Sequence, residues 1–180
     1  MNRGIIIAAA ALALLTGCKK ASLQNAYNNQ ETKIESFISA QVAKADTMRV
    51  VHNQGSHRAI IAEGEGEELS STGNVAFYYA GYVFTGSTLS NSNLFTTNSR
   101  DVAKAAGWTG EGDEYEPVTL SLKDDTMLDG LRHGLEGVRA GEECYILFSG
   151  KYAFGLKKFG TIPANSALAY HVWVESLSND

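Results

Sequence analysis

The run Val75-Ala76-Phe77-Tyr78-Tyr79-Ala80-Gly81-Tyr82-Val83-Phe84 places five aromatic side chains in ten positions, and it is the clearest strand in the chain. A strand this long needs partners. Val118-Thr119-Leu120-Ser121-Leu122 alternates as a half-buried strand, and 144–149 and 167–177 are further β-prone runs. Two short runs, 48–52 and 57–62, flank Asn53-Gln54-Gly55-Ser56, whose turn chemistry predicts a hairpin. Against these strands stands one helical pattern: Leu128, Leu131, Leu135 and Val138, spaced 3, 4 and 3, with Gly141 in a C-cap position. The expected class is α+β, with one sheet and one short central helix. Eighteen glycines and two prolines suit such a turn-rich fold.

The first residues read as an address. Arg3 precedes an apolar stretch from Gly4 to Leu15, too short to span a bilayer as a stable helix. Leu14-Leu15-Thr16-Gly17-Cys18 follows, and its Leu-x-x-Cys end resembles the lipobox of bacterial lipoproteins. That resemblance implies a signal peptide over 1–17, a diacylglycerol on the Cys18 thiol and attachment to the membrane of the cell envelope. Lys19 rather than Asp follows the cysteine, which favours the outer membrane over the inner.

After the cysteine, 19–30 is polar and reads as a tether, and Ile34, Phe37, Ile38 and Val42 then fall at helical spacing within 31–45. That stripe is expected to pack on the main domain or on a second copy, which would make a homodimer. The expected organisation is therefore a signal over 1–17, a tether and amphipathic helix over 18–47, and a domain over 48–180. Within that domain, about 84–116 is a long, polar insertion, apart from Val102 to Trp108.

Hydrophobic residues are 44% of the chain and charged residues 19%, enough apolar material for one core without disulfide staples. The net charge of −5 argues against binding nucleic acid and, on the same grounds, against a polybasic membrane patch. His52, His57, His133 and His171 lack the spacing of a zinc site, and no phosphate-binding or dinucleotide fingerprint occurs. Cys144, in Cys144-Tyr145-Ile146-Leu147-Phe148, reads as a buried small hydrophobe.

These segments have a familiar order. Leu128-Asp129-Gly130-Leu131-Arg132-His133-Gly134-Leu135-Glu136-Gly137-Val138 resembles the helix of the FK506-binding proteins, which are peptidyl-prolyl isomerases. The match runs on through Ala153-Phe154-Gly155, where the family has A-Y-G, and through Ile162-Pro163-Ala164-Asn165-Ser166-Ala167-Leu168. Upstream, Tyr78-Tyr79-Ala80-Gly81 is similar to the family's H-Y-x-G strand. The resemblance implies an antiparallel sheet wrapped around one short helix, here with an extra N-terminal helix.

It also implies a hydrophobic site that needs no metal, cofactor or nucleophile and acts on proline-containing polypeptides. Carried over by position, its catalytic residues are Tyr79, Phe95, Leu128, Leu131, Phe154, Ile162 and Tyr170, with Thr96, Val118 and Met127 also contacting substrate. The backbone N–H of Leu128 would hold a substrate carbonyl. The chain departs from the family pattern in four places: Leu131 stands for a tryptophan, Phe154 for a tyrosine, Thr96 for an aspartate and Val118 for an aromatic. Two function classes follow: a prolyl isomerase and folding helper for envelope proteins, or a catalytically silent lipoprotein of the same fold that binds peptides or proteins. A surface lipoprotein with an exposed apolar patch over 102–108 is a third. A carboxylate from Asp101 or Asp113 in the position of the missing aspartate would favour the enzyme.

Overall fold

A computed structural model describes residues 4–179 apart from 46, 47, 87, 111, 112 and 125, with side chains from Lys19 onward except that of Asp113. The cysteine expected to carry lipid, Cys18, thus lies outside the described side chains. The described residues form a seven-stranded antiparallel sheet with strands β1 (Arg49–Asn53), β2 (Ser56–Ala62), β3 (Asn74–Phe84), β4 (Leu94–Thr97), β5 (Val118–Ser121), β6 (Glu143–Phe148) and β7 (Ala167–Ser178). The order is β1-β2-β6-β7-β3, and the free edge of β3 is shared end to end by β5 and β4. The strand with five aromatics is thus central, paired along its whole length with β7. The turn between β1 and β2 takes positive φ at Gln54 (47°) and Gly55 (86°), the mirror-image turn that suits the twist of a hairpin.

The inner face of the sheet buries Val75, Phe77, Cys144, Ile146, Phe148, Leu168, Tyr170 and Val172 against helix α3 (Asp129–Leu135). Burial pushes the Cys144 thiol well above its ordinary pKa, so this cysteine is packing, as expected. The helix is shorter than its leucine spacing suggests. Gly137, at φ 79°, turns the chain away and its N–H donates to Leu69 O at 2.8 Å. Arg58, on β2, fills the space the next turn would take: Nη1 donates to Gly134 O (3.1 Å) and Glu136 O (2.8 Å), and Nη2 to Gly137 O (3.0 Å). The helix stop is therefore Gly137, and Gly141 instead makes the turn into β6, with its N–H on Val174 O.

The outer face is covered by two helices. Helix α1 (Gly4–Val42) runs unbroken through the segment expected to be a tether. No glycine or proline occurs between Gly17 and Gly55 to interrupt it. Its stripe Ile34, Phe37 and Ile38 is buried against Ala59, Leu147, Ala167 and Ala169 of this chain's own sheet. The stripe therefore serves the fold, and the homodimer expected through 31–45 would have to use another surface.

The insertion is also more ordered than its polarity suggested. It contributes β4 and helix α2 (Arg100–Ala105), which starts at Ser99, whose Oγ accepts from Val102 N. Ala103 is buried, and Val102 and Ala106 pack on Ala80, Tyr82 and Leu94. The segment 102–108 is thus a cover for the sheet rather than an apolar patch, with only Trp108 exposed among its large apolar side chains.

Helix α3 can lie close to β6 because it presents glycines. A β-carbon at Gly130 would overlap the Phe148 ring, and one at Gly134 would overlap Ile146 Cγ2. In an exposed helix, Gly→Ala stabilises by roughly 0.5–1 kcal/mol. Here Gly130→Ala is expected to lower stability by about 1–3 kcal/mol in chemical denaturation, because the buried Phe148 ring has nowhere to move. A variant as stable as the parent would show that the helix can lift off the sheet without cost.

Candidate functional site

Inward-facing positions of four neighbouring strands meet above α3 and leave one small cavity between them. It has a volume of about 270 Å³ and is lined by Phe77 and Tyr79 from β3, Thr96 from β4, Val118 and Leu120 from β5, Leu131 from α3 and Tyr170 from β7. Register explains the convergence. Phe77 lies opposite Val118, Val75 opposite Leu120, and Gly81 opposite both Thr96 and Tyr170 on its two sides. Larger grooves open on the outer face, one of about 540 Å³ beside the end of α1 and one of about 690 Å³ beside α2. Neither holds any of these residues.

Aromatic rings build the walls. The Tyr170 ring meets Phe95 edge-on at 6.0 Å, stacks with Phe148 at 6.0 Å and lies 6.1 Å from Tyr79. Gly81 makes room for them: a β-carbon there would sit 2.9 Å from Phe95 Cζ and Thr96 Cγ2 and 3.1 Å from Tyr170 Cε1. Among the described residues, the lining holds no carboxylate, lysine, arginine, histidine or cysteine. Its polar groups are hydroxyls. Tyr79 Oη lies 3.4 Å from Thr96 Oγ1, and burial, with a smaller effect from Tyr79, pushes the Tyr170 hydroxyl above its ordinary pKa, so it stays protonated.

Five of the ten residues expected at the site line the cavity: Tyr79, Thr96, Val118, Leu131 and Tyr170. The other five belong to the same apolar cluster. Ile162 is buried in it, and Phe95, Met127, Leu128 and Phe154 are half-buried against it. Leu128 caps the start of α3, and its carbonyl accepts from Arg132 N at 3.0 Å. Phe154 stacks face to face with Phe159 at 4.4 Å. Asp101 does not replace the missing aspartate. It lies beside Tyr78 and Trp173 on the opposite face of the sheet, while the Asp113 side chain is outside the described residues.

Three contributors escaped the sequence reading. Phe77 and Leu120 stand two residues from Tyr79 and Val118, so period-2 alternation points to both. Asn98 has no such signal. Buried beside the site, its Oδ1 accepts from Tyr79 N at 2.6 Å while its Nδ2 donates to Phe77 O (3.1 Å) and Glu116 O (3.0 Å). One amide thereby fixes the stretch of β3 that carries both cavity aromatics.

The model of the family described as FKBP-type peptidyl-prolyl cis-trans isomerase matches residues 66–175. "FK506-binding protein 1" of Aspergillus oryzae is 25% identical over 118 residues, covering 66% of this chain and 94% of that protein. Among solved structures, FkpA from Escherichia coli is similar with a TM-score of 0.56 at 19% identity, over 99% of this chain and 74% of its own. A peptidyl-prolyl cis-trans isomerase from Pseudomonas syringae pv. tomato gives a TM-score of 0.58 at 18% identity, over 86% of this chain and 95% of its own. At these identities the structural likenesses speak to the fold, including the N-terminal helix that FkpA's coverage takes in.

Because Gly81 is hemmed in by the rings that shape the cavity, Gly81→Val is expected to displace Phe95 and Tyr170. The variant should lose about 1–3 kcal/mol of stability and much of its near-ultraviolet tyrosine dichroism. An unchanged spectrum and melting curve would mean the walls are not held by this contact.

Proposed function

This chain belongs to the FKBP-type peptidyl-prolyl cis-trans isomerase family, and from that premise we propose that it isomerises X-Pro bonds in polypeptides of the cell envelope, anchored there by a lipid on Cys18. The observation that carries the catalytic half is the uncharged, aromatic-walled cavity of about 270 Å³. The X-Pro amide resists rotation because twisting breaks its resonance, with a barrier of roughly 20 kcal/mol. A planar amide has a large dipole that water solvates well, and the twisted one has lost much of it. A site that replaces water with Phe77, Tyr79, Leu131 and Tyr170 therefore favours the twisted state over the planar one. Lowering the barrier by roughly 5 kcal/mol in this way accelerates rotation more than a thousandfold. The Tyr170 and Tyr79 hydroxyls supply neutral hydrogen bonds, and the N–H of Leu128 is the group proposed to hold a substrate carbonyl.

The second reading, a silent binder of peptides or proteins, is favoured by one specific feature. Thr96 and Phe154 leave the site without the carboxylate and the phenol that the family pattern has at those positions. Prolyl isomerisation of an X-Pro peptide panel by the chain from Lys19 onward separates the two. We expect activity that drops about tenfold or more in Tyr79→Ala and Leu131→Ala, a loss of about 1.4 kcal/mol or more in transition-state stabilisation. An inactive parent rescued by Thr96→Asp with Phe154→Tyr would establish the binder instead.

The pH dependence is a sharper check. With no histidine, carboxylate, lysine or cysteine among the described lining residues, kcat/KM is expected to be flat between about pH 5 and 8. A bell-shaped profile would mean that an ionising group outside this cavity takes part.

The envelope half rests on the charged start, the apolar run and Leu15-Thr16-Gly17-Cys18. Lys19 in the position after the cysteine supports the outer membrane. Mass spectrometry of the protein extracted from bacterial membranes should find an acylated Cys18 as the first residue. A mature chain that begins elsewhere, or a Cys18→Ser variant processed identically, would sink the anchor.

A further inference from the structure

The carboxylates of this acidic chain are not spread evenly. Residues 1–30 contain no Asp or Glu, and neither do residues 144–174. More than a hundred positions apart in sequence, these two segments meet at one end of the molecule. There the loop after Phe154 faces helix α1 across an open cleft of about 620 Å³ lined by Lys19, Lys20, Leu23, Ala26 and Leu156. The contact is a fixed one. Gln30 Nε2 donates to Asn165 O at 2.6 Å, and Gln30 Oε1 accepts from Gly150 N at 2.8 Å.

The same loop carries two of the three large apolar side chains exposed among the described residues. Leu156 is 67% and Phe159 60% exposed, and Lys157 and Lys158 stand exposed between them. Apolar tips flanked by lysines, with no acid in either segment, have the composition of a protein surface that rests in the headgroup layer of a membrane. We propose that this surface, Leu156 and Phe159 with Lys19, Lys20, Lys157 and Lys158, docks on a bilayer bearing anionic headgroups. The two apolar side chains enter the headgroup boundary and the four ammonium groups pair with phosphates.

Position argues for a bilayer over an unfolded polypeptide as the occupant. Helix α1 runs without a break from Cys18 to this cleft, so the residue proposed to carry the lipid departs from the same end. A membrane holding that end is already within reach of the loop. Phe159 in turn stacks on Phe154, which packs against the core that contains the cavity. Docking therefore presents the site close to the membrane surface. The net charge of −5 argued against such a patch because a whole-chain sum cannot register segregation.

The inference goes beyond the lipid anchor and does not require it. It is tested by amide hydrogen exchange over 155–161 in the full chain, both natural and Cys18→Ser, with vesicles of phosphatidylcholine alone or mixed equally with phosphatidylglycerol. Exchange is expected to slow several-fold only with the anionic vesicles, in both proteins. Leu156→Ser with Phe159→Ser should abolish the protection. Lys157→Glu with Lys158→Glu should raise the lipid needed by roughly tenfold or more, given a roughly fivefold contribution per lysine near such a surface. All four side chains are exposed, so the lysine variant should melt unchanged and the serine variant, which gives up the Phe159–Phe154 stack, within a few degrees of the parent. Unchanged exchange on anionic vesicles, whether or not the chain co-sediments, would overturn the proposal, as would equal protection by both vesicles. Protection by a reduced, unfolded polypeptide but not by vesicles would reassign the surface to clients. A natural chain found without lipid on Cys18, with loop protection retained, would refute the anchor alone.

Discussion

A guanidinium buried at the end of a seven-residue helix holds this fold together. A helix as short as α3 is not stable on its own propensity, and two of its seven residues are glycines. It persists because Arg58 supplies donors to the carbonyls of Gly134, Glu136 and Gly137, which would otherwise be stranded in the core. A cation at a helix C-terminus is also favoured by the helix dipole. Its charge is balanced by Glu142, fully buried, with Oε1 at 3.3 Å from Arg58 Nε. Burial raises the Glu142 pKa and Arg58 pulls it back down, and burial wins. The pair is therefore a weak source of net stability and a strong determinant of where α3 sits. Since α3 carries Leu131, one wall of the cavity depends on a charge buried between the sheet and the helix.

This dependence explains which parts of the structure could be read in the sequence. The strands and the hairpin were legible because their signals are local: alternation, aromatic density and Gly55 at a turn. The helix was legible from its leucines, but its end was not. The choice between Gly137 and Gly141 was made by Arg58, which in sequence is one cation in a β-prone run. The tether was misread because Asn, Gln and Lys look solvated. Its helicity follows from an uninterrupted run of helix-tolerant residues and from Gln30, whose partners Gly150 and Asn165 lie far along the chain. The insertion was misread for a similar reason. Its four-residue strand β4 has too few residues to show a period and exists because β3 offers it an edge.

The site divides along the same line. Motif positions placed nine of the ten expected residues in one apolar cluster, with Thr96 beside it, and five of the ten on the cavity wall. What the motif could not supply was the support. Asn98 acts through three hydrogen bonds to backbone atoms of β3 and the segment before β5, and nothing about an asparagine after two threonines announces that. Phe77 and Leu120 were available from alternation alone, because each stands two residues from a motif position on the same face of its strand.

Charge is the last property that the linear order obscures. The cavity lining is neutral, the end where α1 meets the loop after Phe154 is basic, and carboxylates gather in turns such as 63–68. Each arrangement has its own physical reason. A neutral lining keeps the site dry and its rate indifferent to proton concentration, because any ion there would bring water with it. Carboxylates in turns stay solvated and soluble. At the basic end the lysines are well solvated, and it is the exposed apolar tips of Leu156 and Phe159 that gain from a covering surface. The fold separates these three environments by bringing 19–30 against 150–165, and a helix long enough to reach from the sheet to that end is what makes the separation spatial.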